Sequence, residues 1–147
     1  MYRMACLVLF LLASTMQAQP HLSIRAASAT PVDGWQRMQV EHTDRVIWVS
    51  PTAAVAASDI EKAVPELTPE GDMRIALTYT DQGLKKIHDL TTTQLKKLVA
   101  LVVDGKVLWA PLVQQAQQGK EGVLTGNGPN GRGLSQEEVD RILAVLH

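Results

Sequence analysis

Apolar residues in this chain fall in short dense runs rather than long helical stripes. The densest, residues 98–103 (LVALVV), meets Asp104-Gly105, and a second apolar stretch follows at once. A run with no polar alternation reads as a strand buried on both faces. Asp-Gly between two such runs signals a hairpin with a two-residue turn of the primed type. That turn needs positive φ, which Gly adopts freely and Asp tolerates. Asp104 and Gly105 are therefore assigned a structural turn role. The hairpin, with arms at residues 97–103 and 106–113, is expected at the centre of a sheet. Pro111 marks where the second arm must leave regular pairing.

The flanking pattern supplies the remaining elements. Residues 45–49 (RVIWV) are β-branched and aromatic, and Pro51 ends them, which predicts a strand. Ser58 is placed to cap a short helix over 59–64, after which Pro65 and Pro69 enforce a loop. Residues 74–79 (RIALTY) read as a second strand. A helix opens at residues 80–83 and runs to about Leu90, with Leu84, Ile87, His88 and Leu90 giving a partly apolar face. The threonines at 91–93 continue a helix poorly. Residues 122–124 form a short strand, and a glycine-rich loop occupies 126–133. Ser135 and Glu138 make a capping box for a final helix, and Val139, Ile142, Leu143 and Leu146 follow at helical spacing. The predicted class is α+β: a small mixed sheet with two to three helices packed on one face.

Composition changes the picture at the ends. Residues 1–18 look like an export signal: Arg3 is basic, residues 5–13 (ACLVLFLLA) are apolar, and small Ala18 precedes the expected cut. The apolar run is too short for a membrane span, which needs roughly 20 residues. Cleavage would leave no stable membrane insertion, and retention as an anchor is the alternative. The one cysteine, Cys6, lies inside this segment, so the mature chain is expected to hold no disulfide, thiolate metal site or cysteine nucleophile. The weakly patterned stretch 19–44 reads as a tether or docking arm, with Trp35 and Met38 available to dock it. The folded domain is then 45–147. Lys and Arg number 14 against 15 Asp and Glu. Losing Arg3 lowers the basic count to 13 and takes the net charge from −1 to −2. That balance favours neither nucleic acid nor an anionic membrane surface.

Candidate chemistry is sparse. Residues 126–131 (GNGPNG) fit G-x-G-x-x-G, but Pro129 removes a backbone donor and the following helix begins only near Gln136. No Lys-Ser/Thr follows, and the segment reads as a mobile surface loop. His21, His42, His88 and His147 lack paired metal-ligand spacing. Ser50, Ser58 and Ser135 have strand-end or capping roles, and no G-x-S-x-G elbow occurs. No catalytic residue, cofactor or metal is assigned. Trp48 and Trp109 remain. Burial is the ordinary reading of each, whereas exposure of Trp109 beside Pro111 would make the pair a contact site for a protein or extended peptide. A sheet edge could take such a peptide by strand addition. The glutamines at 114, 115, 117 and 118 read as a solvated loop.

Several pieces in order carry a family resemblance. These are the strand 75–80 with Asp81-Gln82-Gly83 opening a helix, Leu90-Thr91, the buried strand with Asp104-Gly105-Lys106-Val107, then Ala110-Pro111, Leu124-Thr125-Gly126, and the helix start at 134–138. Over about residues 46–147 the chain resembles the periplasmic head subdomain of SecD, a subunit of the SecDF protein-export machinery. The resemblance implies a small extracytoplasmic α+β module that contacts emerging preprotein. It departs from the family in a longer glycine-rich loop and in Trp109, where a small residue is common. It also brings no transmembrane bundle with proton-conducting carboxylates, so no export motor is implied. The leading expectation is a secreted, non-enzymatic protein- or peptide-binding module, possible partner contacts being Trp109 and Pro111. The alternatives are a structural subunit of an envelope complex that docks through the arm, and a hydrolase with an unrecognised site.

Overall fold

The structure, a computed structural model, describes residues 21–128 and 131–146. The expected signal at 1–18 and the terminal His147 lie outside the described residues. Among the described residues, nine strands and two α-helices follow in the order β1 (Leu22–Ser28), β2 (Gln36–Gln39), β3 (Val46–Val49), β4 (Val55–Ala56), β5 (Ile60–Leu67), β6 (Met73–Tyr79), α1 (Asp81–Thr93), β7 (Leu98–Val103), β8 (Lys106–Trp109), β9 (Glu121–Leu124) and α2 (Gln136–Leu146). The α+β class holds, and the strands divide into two sheets. The larger runs β2-β3-β1-β7-β8, with β4 also on β1, and the smaller runs β5-β6-β9.

The apolar run at 98–103 behaves as its pattern requires. Every residue of β7 is buried. Val99, Leu101 and Val103 join one core cluster, and Leu98, Ala100 and Val102 join the other. Asp104 and Gly105 take φ of 50° and 79°, which is the positive-φ pair a primed hairpin turn needs. The larger sheet curls until its ends meet. Val40, just past β2, bridges to Val107 of β8, and the Glu41 N–H donates to the Val107 carbonyl at 2.9 Å. The inside of this curl is filled by small and β-branched side chains, including Ala100, Ile47, Val49 and Val107. The other face of β7 meets the smaller sheet through Ile75 and Leu77, and both helices through Ile87, Leu90, Val139 and Ile142.

Three expectations are corrected. The stretch 19–44, expected as a tether or arm, is part of the fold from its first described residues onward. Leu22–Ser28 forms a strand at the heart of the larger sheet, paired with β7 on one side and with β3 and β4 on the other. Leu22 and Ile24 are buried, so the arm is part of the fold and is not available for docking elsewhere. Its Ser, Arg and Ala residues have weak strand propensity, and ladder bonds to β7 supply what propensity does not. The short helix expected at 59–64 is a single 3-10 turn, residues 57–59, leading into β5. Asp59, not Ser58, organises it: its carboxylate accepts from the Ala56 N–H at 2.9 Å and pairs with Lys86 at 3.0 Å. Pro65 sits inside β5 because β5 is an end strand, where a missing N–H breaks no ladder bond. Finally, α1 runs on through Thr93. Thr91 is tolerated there because its hydroxyl donates to the Ile87 carbonyl at 2.7 Å.

The ends of α1 and α2 fold as their caps dictate. The Thr80 hydroxyl accepts from the Gly83 N–H at 2.9 Å. Ser135 and Glu138 form the reciprocal capping box, at 3.1 Å and 3.0 Å.

Candidate functional site

Between the two sheets, beside α1, an apolar cleft of about 240 Å³ remains. Its floor is Ile24, Val99 and Leu101 from the larger sheet. Tyr79, Gly122 and Leu124 of the smaller sheet form one wall, with Val123 at the strand edge between this cleft and the sheet's outer face, and Ile87 and Thr91 of α1 form another. Trp109 and Pro111 stand on the side of β8, where regular pairing ends at Trp109 and the Pro111 carbonyl still accepts from the Val99 N–H at 3.1 Å. The strap that follows, residues 112–120, crosses from β8 to β9 and contributes Leu112, Val113, Gln115 and Gln117. Trp109 and Pro111 are both half-buried, so each presents one side to the cleft while the other packs. Asp104 and Gly105 lie at the opposite end of the hairpin and take no part. Trp48 is half-buried on β3 and does not line the cleft.

Sequence reasoning missed the rest of the rim. Leu112 and Val123 are 47% and 44% exposed, which is high for residues of this size beside an apolar hollow. Tyr79 is nearly buried, and its ring packs over Gly122: a Cβ there would lie 3.0 Å from the ring. Burial pushes the Tyr79 hydroxyl up to about 12, so it stays neutral across the physiological range. The usable signal was register. Gly122 pairs with Leu77, two residue pairs from Tyr79 and on the same face, and a glycine inside a strand marks a close approach by a neighbouring group.

The edge of β9 completes the geometry. The Tyr79 N–H donates to the Lys120 carbonyl at 2.7 Å, so Lys120 and Tyr79 are a hydrogen-bonded pair. Antiparallel alternation then turns Gly122 and Leu124 toward β6, and Glu121 and Val123 toward the open side. The Glu121 carbonyl confirms that direction, since it accepts from the Gln117 amide at 2.6 Å rather than from β6. Because β9 ends its sheet, the Val123 N–H and carbonyl face away from any strand among the described residues.

Other sequence motifs stay apart from this cleft. The glycine-rich loop is pinned at its described ends: Gly128 donates to the Gly133 carbonyl at 2.8 Å, and Leu134 to the Met73 carbonyl at 2.8 Å. The α2 N-terminus beyond it is closed by its own capping box. His88 is held at 2.8 Å from the Gln117 carbonyl, and His42 lies 3.7 Å from Glu138. Among the described residues no three of His, Cys, Asp and Glu converge to hold a metal. Lys120 and Asp81 pair at the surface beside β9. That pairing holds the Asp81 carboxyl below its usual range and the Lys120 amine above its own. The cleft offers apolar surface, an indole and a strand edge.

Known proteins place this geometry. The sequence matches the family described as SecDF, P1 head subdomain, over residues 35–144. It is 32% identical over 92 residues to the protein translocase subunit SecDF of Thermus thermophilus, covering 63% of this chain and 12% of that protein. It is 26% identical over 127 residues to the protein translocase subunit SecD of Syntrophobacter fumaroxidans, covering 75% of this chain and 24% of that one. The chain thus spans under a quarter of the length of these relatives. Among solved structures, SecDF in its super-membrane-facing form superposes with a TM-score of 0.64 at 24% identity, over 86% of this chain and 18% of that one. A structure of SecDF as a membrane component that enhances protein export gives 0.63 at 22% identity, over 87% and 62%. The family match takes in the buried hairpin, the cleft residues from Tyr79 to Leu124 and most of α2, and on that ground the chain belongs to the SecDF P1 head subdomain family.

Proposed function

We propose that this chain is a non-enzymatic, extracytoplasmic head module of protein export that holds extended polypeptide in the cleft between its two sheets. The peptide backbone pairs with the open side of β9 at Val123, and an apolar side chain enters beside Trp109 and Pro111. The observation that carries this reading is the coincidence of a half-buried indole, the exposed Leu112 and an open strand edge at Val123 on one hollow. Strand addition draws affinity from main-chain bonds and specificity from pockets for alternate side chains, and this site offers both. The family membership supports the link to export. No helix among the described residues is long and apolar enough to cross a membrane. An extracytoplasmic location rests on the family together with the signal-like residues 1–18.

The test is fluorescence anisotropy with a labelled ten-residue peptide that alternates bulky apolar and polar residues. Trp109→Ala should weaken binding by ~2 kcal/mol, about thirtyfold, if the indole is a hot spot. Val123→Pro should also abolish strand addition while sparing the β6 ladder, because the N–H it removes faces outward. Unchanged affinity in both variants, with circular dichroism showing intact folding, would sink the assignment.

A further inference from the structure

The strap between β8 and β9 is fixed at both ends and nearly untied between them. At its start, Val113 exchanges hydrogen bonds with the 96–97 turn: the Lys96 N–H donates to its carbonyl at 2.9 Å, and its own N–H donates to the Lys97 carbonyl at 2.8 Å. At its end, Lys120 bonds to Tyr79 and pairs with Asp81. Of the residues between, Gln117 carries the ties to the body. Its N–H donates to the Thr91 hydroxyl at 2.8 Å, and His88 Nδ1 lies 2.8 Å from its carbonyl. Its side-chain amide donates back to the Gly119 carbonyl at 2.8 Å and to the Glu121 carbonyl at 2.6 Å. The partner element is rigid: α1 is capped by Thr80, paired through Lys86 to buried Asp59, and packed into the core by Ile87 and Leu90.

This arrangement has a consequence for the cleft. The acceptor that Gln117 occupies, the Glu121 carbonyl, belongs to the open side of β9. A strand adding to that edge needs it. The strap also forms the wall that closes the cleft along α1.

We propose that residues 114–119 are an autoinhibitory strap, latched to α1 through Gln117, Thr91 and His88, whose release frees the Glu121 carbonyl and lengthens the β9 edge open to a peptide. The proposal rests on the reading of the cleft as a peptide site, and its primary readout requires no peptide. Thr91 is a positioning residue. Its hydroxyl is spent on the Ile87 carbonyl as donor and on Gln117 as acceptor, which accounts for a threonine in the last turns of a helix.

The experiment is hydrogen exchange by mass spectrometry on the full chain, comparing wild type with Thr91→Val and Gln117→Ala. Thr91→Val is nearly isosteric and keeps an apolar helix face while deleting the acceptor for the Gln117 N–H. Exchange across 114–119 should rise roughly tenfold, the scale of losing one hydrogen bond from a local opening, with β7 and α1 unchanged. Gln117→Ala, which keeps the backbone ties and uncovers the Glu121 carbonyl, should tighten the labelled peptide severalfold. Unaltered exchange in Thr91→Val overturns the latch, and so does a rise that spreads into β7 and α1, since the substitution would then be destabilising the whole domain. Faster strap exchange with no gain in peptide affinity in either variant overturns the autoinhibitory role, whereas failure of peptide binding in wild type itself strikes the cleft reading instead.

Discussion

The two sheets share one core cluster and differ in how much of themselves they hide. The larger buries both faces of β7 and closes its own edge by bringing Val40 back to Val107. The smaller buries only the face of Ile75 and Leu77. Its outer face carries the cross-strand row Val64, Ala76 and Val123 among Lys62, Glu66, Arg74, Thr78 and Glu121, in a shallow groove of about 560 Å³. Its end strands β5 and β9 both keep an open side. A closed sheet gains burial and has no edge left for another chain. An open one keeps unpaired backbone groups, which are a hazard unless they are guarded or used. Here β5 is guarded by Pro65 and charged neighbours, and β9 is short and half-covered by the strap. Among the described residues the open strand edges therefore lie on the smaller sheet, where the proposed peptide would add.

The sharpest way to break this comparison is inside the curl. Ile47 is fully buried there, and Ile47→Ala should cost about 2–5 kcal/mol of stability in urea unfolding. A cost under about 1 kcal/mol would mean that the curl is not a packed interior. The boundary between the sheets can be probed with alkali. The neutral Tyr79 hydroxyl is favoured by burial, so its value is raised in the folded chain from 10.0 to about 12. The unfolded chain ionises first, and the stability present below pH 10 is lost as pH climbs through 12. Wild type should lose on the order of 2 kcal/mol more than Tyr79→Phe over that interval. Parallel curves for the two proteins would place the ring in water. The smallest effect is expected on the open face, where Val123→Thr should change stability by no more than about 0.5 kcal/mol. A larger loss would show that the outer face of the smaller sheet is covered.

How legible this was depended on whether a signal was local. The turn at Asp104-Gly105, the capping box of Ser135 and Glu138, and the doubly buried run 98–103 each need only neighbours in sequence, and each stands where the pattern placed it. Trp109 and Pro111 were legible as a possible contact pair, because an indole beside a residue that ends a strand is hard to bury completely. The remainder of the cleft was not. Leu112 and Val123 look like ordinary strand residues, and only the packing of the two sheets makes them a rim. Residues 22–28 are only weakly patterned, and Pro65 and Ser58 gave signals that tertiary pairing overrode.

The sequence by itself determined the α+β class, the hairpin at the centre, the helix starts and the family, because periodicity, turn chemistry and caps act over a few residues. Only the tertiary structure decided that there are two sheets, that the N-terminal stretch is a central strand, and that Gln117 reaches Thr91 and His88. Those outcomes depend on ladder bonds and side-chain contacts between segments far apart in the chain, and no local preference specifies which distant partner will supply them.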